Sequence, residues 1–279
     1  GKATSYYYYI NSVASFAAGF LYVINPYIPM VLCLIMSVIA TLLCFKFKEI
    51  DDERNEVKEN HKENTKGLLK DILKSPRLIN LILFGALFYG LLAILTTLRT
   101  SLLDEIRLPE QYFGVIFALL EIISVTTMNQ NKFHNKLKNR TLAVLSIPVT
   151  VSCIILGVVA KSNIPFMFVI VILILLYIIQ YVMKGPFYIL IKRYLNNFTT
   201  HKIRNKISSV YNLVENISRC IIALISSILL KYTTTANTLL IIGTIYTILL
   251  LAMLINMKGK VGLNPEEYTE KDIKFLNLK

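Results

Sequence analysis

Charge is scarce in this sequence and unevenly placed. Only 17% of its 279 residues are Asp, Glu, Lys or Arg, against about 25% in ordinary soluble domains. Five stretches carry none: residues 3–45, 78–98, 141–160, 162–183 and 232–257. Cysteine and histidine are also few. Cys33, Cys44, Cys153 and Cys220 lie in apolar runs without any C-x-x-C pair, which excludes a secreted disulfide scaffold and suits small buried hydrophobes. His61, His134 and His201 fall in separate segments without metal-ligand spacing, so no metal and no cofactor is expected. A Walker lysine, a Gly-rich phosphate loop and paired carboxylates in a defined context are likewise missing, and no catalytic residue is assigned.

What is present is apolar, at 55% of the chain. A bilayer core about 30 Å thick takes about 20 residues of helix, and the uncharged runs have that length. The implied fold class is an all-α polytopic membrane protein, with the lipid bilayer as its surroundings. Runs and punctuation predict eight spans, at residues 6–24, 28–45, 78–98, 111–131, 141–160, 164–188, 207–230 and 236–257. The opening apolar stretch far exceeds the h-region of a signal peptide and reads as spans.

Loops alternate in charge. Segments 46–77, 132–140, 184–206 and 258–279 together with Lys2 hold 25 of the 30 Lys and Arg, and the opposite loops hold four. Basic loops stay cytoplasmic, so both termini of this chain are expected inside. The net charge of +13 borders membrane spans, and nucleic acid is not an expected partner. Residues 46–77 form a solvated charged linker. It turns amphipathic near Leu69, Ile72 and Leu73, as in a short interfacial helix.

Polar residues recur at helical spacing where a span lines a cavity, and are sparse where it faces lipid. The seventh span steps through Ser208, Asn212, Glu215, Asn216 and Arg219, and the sixth through Tyr177, Tyr181, Lys184 and Tyr188 beside Gln180. The third aligns Gly85, Tyr89, Ala93, Thr96 and Thr100; the fourth Gly114, Ala118, Glu121 and Ser124; the first Tyr8, Ser12, Ser15, Gly19 and Tyr22. Spans two, five and eight hold no charge and few polar residues, so they are expected to be peripheral. Stripes of Gly, Ala and Ser also serve as helix-packing seams, span-end Tyr (Tyr6, Tyr7, Tyr188, Tyr232) as belt residues, and a Lys placed like Lys184 equally as a side chain that snorkels to the surface. The cavity-lining candidates are Asn212, Asn216, Tyr89, Thr96, Tyr177, Gln180, Tyr181 and Lys184. Intramembrane ionisable groups are functional candidates by default, which singles out Glu121, Glu215 and Arg219.

The central charged linker, with every third span peripheral, resembles helices five to twelve of a twelve-helix, bacterial member of the major facilitator superfamily (MFS). Lys192-Arg193-Tyr194-Leu195 through Arg204-Asn205-Lys206-Ile207-Ser208-Ser209-Val210-Tyr211-Asn212 resembles that family's basic loop between helices ten and eleven. The tail Val261-Gly262-Leu263-Asn264-Pro265-Glu266-Glu267-Tyr268 is also similar. The loop Asn129-Gln130-Asn131-Lys132 to Arg140 keeps the basic residues of the helix eight–nine loop but has neither its glycine nor its acid.

The resemblance implies that residues 1–46 end the first six-helix half, 47–77 link the halves, 78–257 form the second half and 258–279 a cytoplasmic tail. It implies secondary-active transport of a small-molecule substrate by alternating access, without enzymatic chemistry, in a bacterial plasma membrane. Helices one to four would lie upstream, so the chain, which starts at Gly1, is expected to be a fragment that does not transport alone. Two alternatives are the membrane-spanning part of an ABC-type exporter, which needs an ATPase partner, and a membrane enzyme of lipid or glycan synthesis. Isolated His and basic loops, in place of acidic or His-rich clusters, disfavour the enzyme.

Glu121 lies roughly 15 Å along its span and Arg219 roughly 18 Å along its own, both near the midplane. Because the family's helices eight and eleven flank the cavity, the two side chains are expected to approach across it. Glu215 precedes Arg219 by four residues, the favourable order for an intrahelical pair. Two carboxylates and one guanidinium leave one negative charge over, making a glutamate the candidate carrier of a coupling proton and Arg219 its switch partner or an anion's counter-ion. A purely structural pair orienting two helices is the alternative.

Overall fold

A computed structural model describes residues 2–45, 76–127, 140–197 and 201–257, with side chains at 9–45, 78–127, 140–196 and 204–257. Most of the expected linker 47–77 with its amphipathic stretch, the loop 132–139, the tail 258–279 and the side chains of Tyr6, Tyr7 and Tyr8 lie outside the described residues. Eight helices and no strand occur among the described residues: α1 (Lys2–Ile24), α2 (Tyr27–Cys44), α3 (Pro76–Glu105), α4 (Gln111–Thr126), α5 (Thr141–Ala160), α6 (Phe166–Asn197), α7 (His201–Tyr232) and α8 (Thr235–Met257). The protein is an all-α polytopic membrane fold. Six of the helices (all but α1 and α4) are long and apolar enough to cross a bilayer, and the apolar parts of α1 and α4 are shorter.

Each expected span meets one helix, but three helices overrun their expected ends. α3 runs on to Glu105, α6 to Asn197, and α7 begins at His201. The cause is that charge marks where a helix leaves the hydrocarbon, not where its hydrogen bonding stops. α3 shows this most clearly. Leu91, Leu95, Leu98 and Leu102 keep helical spacing through Arg99 and are all buried. The helix then closes with Leu108 N donating to Leu103 O (3.0 Å) and Arg107 N to Asp104 O (2.8 Å), around Arg107 at φ 59°. That is a left-handed C-terminal cap, and Pro109 two residues on forbids continuation.

α3 runs through the core, packed on α7, α8 and α6. Its Phe84 and Phe88 meet Phe187 of α6 at centroid distances of 6.1 and 4.3 Å. At its C-terminal end Glu105 Oε2 accepts from Thr235 N (2.8 Å), holding the first turn of α8. In lipid, helices associate by close packing and hydrogen bonding because the tails are as apolar as leucine. The α5–α8 contact follows that rule: a Cβ on Gly157 would lie 2.6 Å from the Ala236 carbonyl, and one on Gly243 3.0 Å from Ile154 N.

The peripheral expectation divides. α2 has no buried residue, and α8 keeps an aliphatic outer face including Ile241, Ile245 and Ile248. α5 instead packs on both α6 and α8 and is more buried than α7. Its few polar side chains are small and bond their own backbone, Ser146 to Leu142 O and Ser152 to Val149 O, so neighbours approach on two sides. The cysteine expectation also needs correction, since only Cys153 is buried while Cys33, Cys44 and Cys220 are exposed.

Candidate functional site

Two groups of ionisable side chains sit inside the helix bundle. In the first, α6 presents Tyr177, Gln180, Tyr181 and Lys184, spaced at three and four residues so that they share a face. Lys184 Nζ lies 3.6 Å from Glu121 Oε1 of α4 and 4.7 Å from the Tyr181 ring centre. Arg99 reaches the same place from α3. Its guanidinium donates to the Tyr181 hydroxyl and lies 4.1 Å from the Phe117 ring centre and 4.9 Å from that of Tyr181. Arg99 is 5% exposed, and its Nε, like Glu121 Oε2 and the Tyr177 hydroxyl, is buried without a hydrogen-bond partner.

Thr96, Arg99, Gln180, Tyr181 and Lys184 enclose a cavity of about 10 Å³ with two leucines of α3, about the room one water molecule needs. Gln180 is held from α5 by Ser152 (2.9 Å). Thr96 is spent partly on its own helix, donating to Leu92 O. Phe117, which covers one face of Arg99, also lines a larger cleft of about 570 Å³ between α1, α3 and α4. Asp104, Glu110, Phe113 and Tyr22 line that cleft too.

The second group joins α7 to α3 and α6. Arg219 Nη2 pairs with Glu215 Oε1 at 3.2 Å, one turn apart as the sequence spacing predicts. The Arg219 guanidinium lies 4.5 Å from the Tyr89 ring centre. Tyr89 stacks beside Tyr188 at 5.6 Å, and Lys192 covers Tyr188 at 4.2 Å. Tyr188 therefore belongs to a row of two adjacent rings with a cation at each end. Asn212 and Asn216 are exposed on α7 and line neither cavity.

Two expectations change here. Glu121 pairs with Lys184 rather than with Arg219, because α4 packs on α6 while α7 packs on α3. The charge excess also reverses. With Arg99, Lys184 and Lys192 included, two carboxylates meet four cations in the two groups. Arg99 escaped the sequence reading because the third span was ended at residue 98, which placed it in an outer loop. The uninterrupted leucine spacing from Leu91 to Leu102 was the signal that could have found it.

The family model of the Major Facilitator Superfamily matches residues 1–173. The chain belongs to the Major Facilitator Superfamily. No curated protein and no solved structure matches it. MFS proteins are membrane transporters rather than enzymes, so this multi-pass chain sits in the lipid bilayer and serves the passage of a small solute. The matched residues include Arg99 and Glu121, while Lys184, Glu215 and Arg219 follow them.

Proposed function

We propose that this MFS chain works as a proton-coupled secondary transporter that moves its solute by alternating access. The observation that carries this reading is the division of α7 into three faces. Ile207, Tyr211, Glu215, Ser218, Ile222 and Ser226 are buried against the bundle, while Leu213, Ile217, Ile221 and Leu224 are exposed and apolar, as lipid requires. Ser208, Asn212 and Asn216 are exposed and polar, with Arg219 beside them at 39% side-chain exposure. Amide and guanidinium groups do not face hydrocarbon cheaply, so this third face meets a water-filled path or further polar helices. That supports residues 78–257 as one half-bundle facing another, in the position of helices seven to twelve, with α1 and α2 as helices five and six.

Glu121 of α4 is paired with Lys184 of α6, and Glu215 with Arg219 one turn along α7. Protonating Glu121 neutralises its carboxylate and dissolves the tie between α4 and α6, and protonating Glu215 releases Arg219 within α7. A proton and a conformational change are thereby linked at one group. The basic segments 46–77, 132–140, 184–206 and 258–279 would face the cytoplasm of a bacterial cell. The test is proton-driven uptake in the full-length transporter, comparing Glu121→Gln, Glu215→Gln and Arg219→Ala with wild type. Loss of proton dependence in a glutamate variant is expected. Unchanged proton-driven uptake in all three would remove both the coupling role and the site. Uptake by the reconstituted 279-residue chain alone would sink the half-bundle reading.

A further inference from the structure

Resting on the transport reading above, we infer that the small cavity between α3 and α6 is an anion site: Arg99, closed in by aromatic rings, receives a monovalent anionic group of the solute. The charges support it first. Lys184 is matched by Glu121 at 3.6 Å, whereas Arg99 has no carboxylate partner among the described residues and interacts only with Tyr181, Phe117 and Tyr177. A guanidinium that stays charged at any working pH is thus held at 5% exposure by one hydroxyl and three ring faces. Rings attract a cation but do not neutralise it, and buried charges are ordinarily paired.

The second support is geometric. Arg99 lines the cavity and keeps a buried Nε without a partner. Gln180 and Lys184 line the same space, and each carries more than one N–H donor of the kind that suits a carboxylate or halide. Two of the walls are long, flexible side chains, Arg99 and Lys184, which can retreat to admit an anion larger than water. An adjoining aromatic wall, Phe117, separates this cavity from the 570 Å³ cleft.

The purified full chain in lipid nanodiscs provides the test, with chloride and acetate as separate probes. Ionic strength is held constant with a bulky sulfonate. Thermal unfolding and tyrosine emission are followed together, since the chain contains no tryptophan and Tyr177 and Tyr181 border Arg99. A saturable rise in the unfolding midpoint is expected, with acetate acting where the solute's carboxylate is the ligand and chloride alone acting where a free halide is. Arg99→Gln should weaken the apparent anion affinity by about tenfold or more, while Lys231→Gln, at a residue that lines neither cavity, leaves it unchanged. No response to either anion in the wild type, or an equal response in Arg99→Gln, overturns the inference and leaves Arg99 as a tie between helices. Should Arg99→Gln not fold, Arg99→Lys keeps the charge without the planar fork. Weakened anion binding in that variant sustains the inference and unaltered binding overturns it. None of these measurements reads transport. An anion response without proton-driven uptake would sink the proposed function alone, and uptake without an anion response would sink this inference alone.

Discussion

Gly19 of α1 and Gly114 of α4 meet backbone to backbone. A Cβ on Gly19 would lie 2.8 Å from the Gly114 Cα, and one on Gly114 would lie 2.7 Å from the Ser15 carbonyl. Both glycines belong to stripes that the sequence offered as cavity lining or packing seam, and they are both: they close this crossing and border the cleft between α1, α3 and α4. Small residues let membrane helices approach to this distance, where dispersion and weak Cα–H contacts act. Gly114→Val should therefore pry α1 from α4 and destabilise the fold by about 1–3 kcal/mol, the usual range for overpacking. Thermal unfolding in nanodiscs is the measurement, and an unchanged midpoint would show that the crossing is not this tight.

The Lys184–Glu121 pair should behave as a coupled unit. Removing one partner leaves a largely buried charge alone, whereas removing both removes the problem. Lys184→Met is expected to cost more stability than the double variant Lys184→Met/Glu121→Gln. A double-mutant cycle should return a coupling of roughly 1–3 kcal/mol, and strict additivity would mean that the two do not interact.

Arg219 and Tyr89 predict a distinction between ring and hydroxyl. At 4.5 Å from the ring centre, the guanidinium interacts with the π face, which phenylalanine preserves. Tyr89→Phe should unfold near the wild-type midpoint, and Tyr89→Leu should lose about 1 kcal/mol. Equal losses in the two variants would assign the interaction to the hydroxyl instead.

Arg107 occupies the left-handed position that ends α3, at φ 59°. A side chain there costs about 1 kcal/mol relative to glycine. Arg107→Gly should accordingly raise the unfolding midpoint without altering transport, as the exposed Arg107 lines neither cavity. A lower midpoint would mean that the arginine side chain makes a compensating contact.

Orientation can be read by cysteine labelling in a background without the four native cysteines. Asn163→Cys, between α5 and α6, should react with an impermeant reagent added outside intact cells, and Asn64→Cys should not. The burial of Arg99 sharpens the expectation, because it leaves only Arg107, Lys161 and Lys231 as basic residues on the outer side.

Hydrocarbon is a severe solvent, and what it demands is written in the order of residues. Runs without charge had to be helices, because an unpaired backbone amide in lipid is too costly. Their number, the Glu215–Arg219 pair one turn apart and the apolar exterior of α2 therefore follow from the chain alone. Which helix touches which does not. The apolar stripes of α4, α6 and α7 are interchangeable in composition, and only the packing of α4 on α6 and α7 on α3 decided that Glu121 meets Lys184 while Arg219 meets Tyr89. Arg99 shows the same division within a single residue. The sequence made it a cation near the end of an apolar run; tertiary packing placed Phe117, Tyr177 and Tyr181 around it, because the close approach of three helices leaves beside it a space of only about 10 Å³.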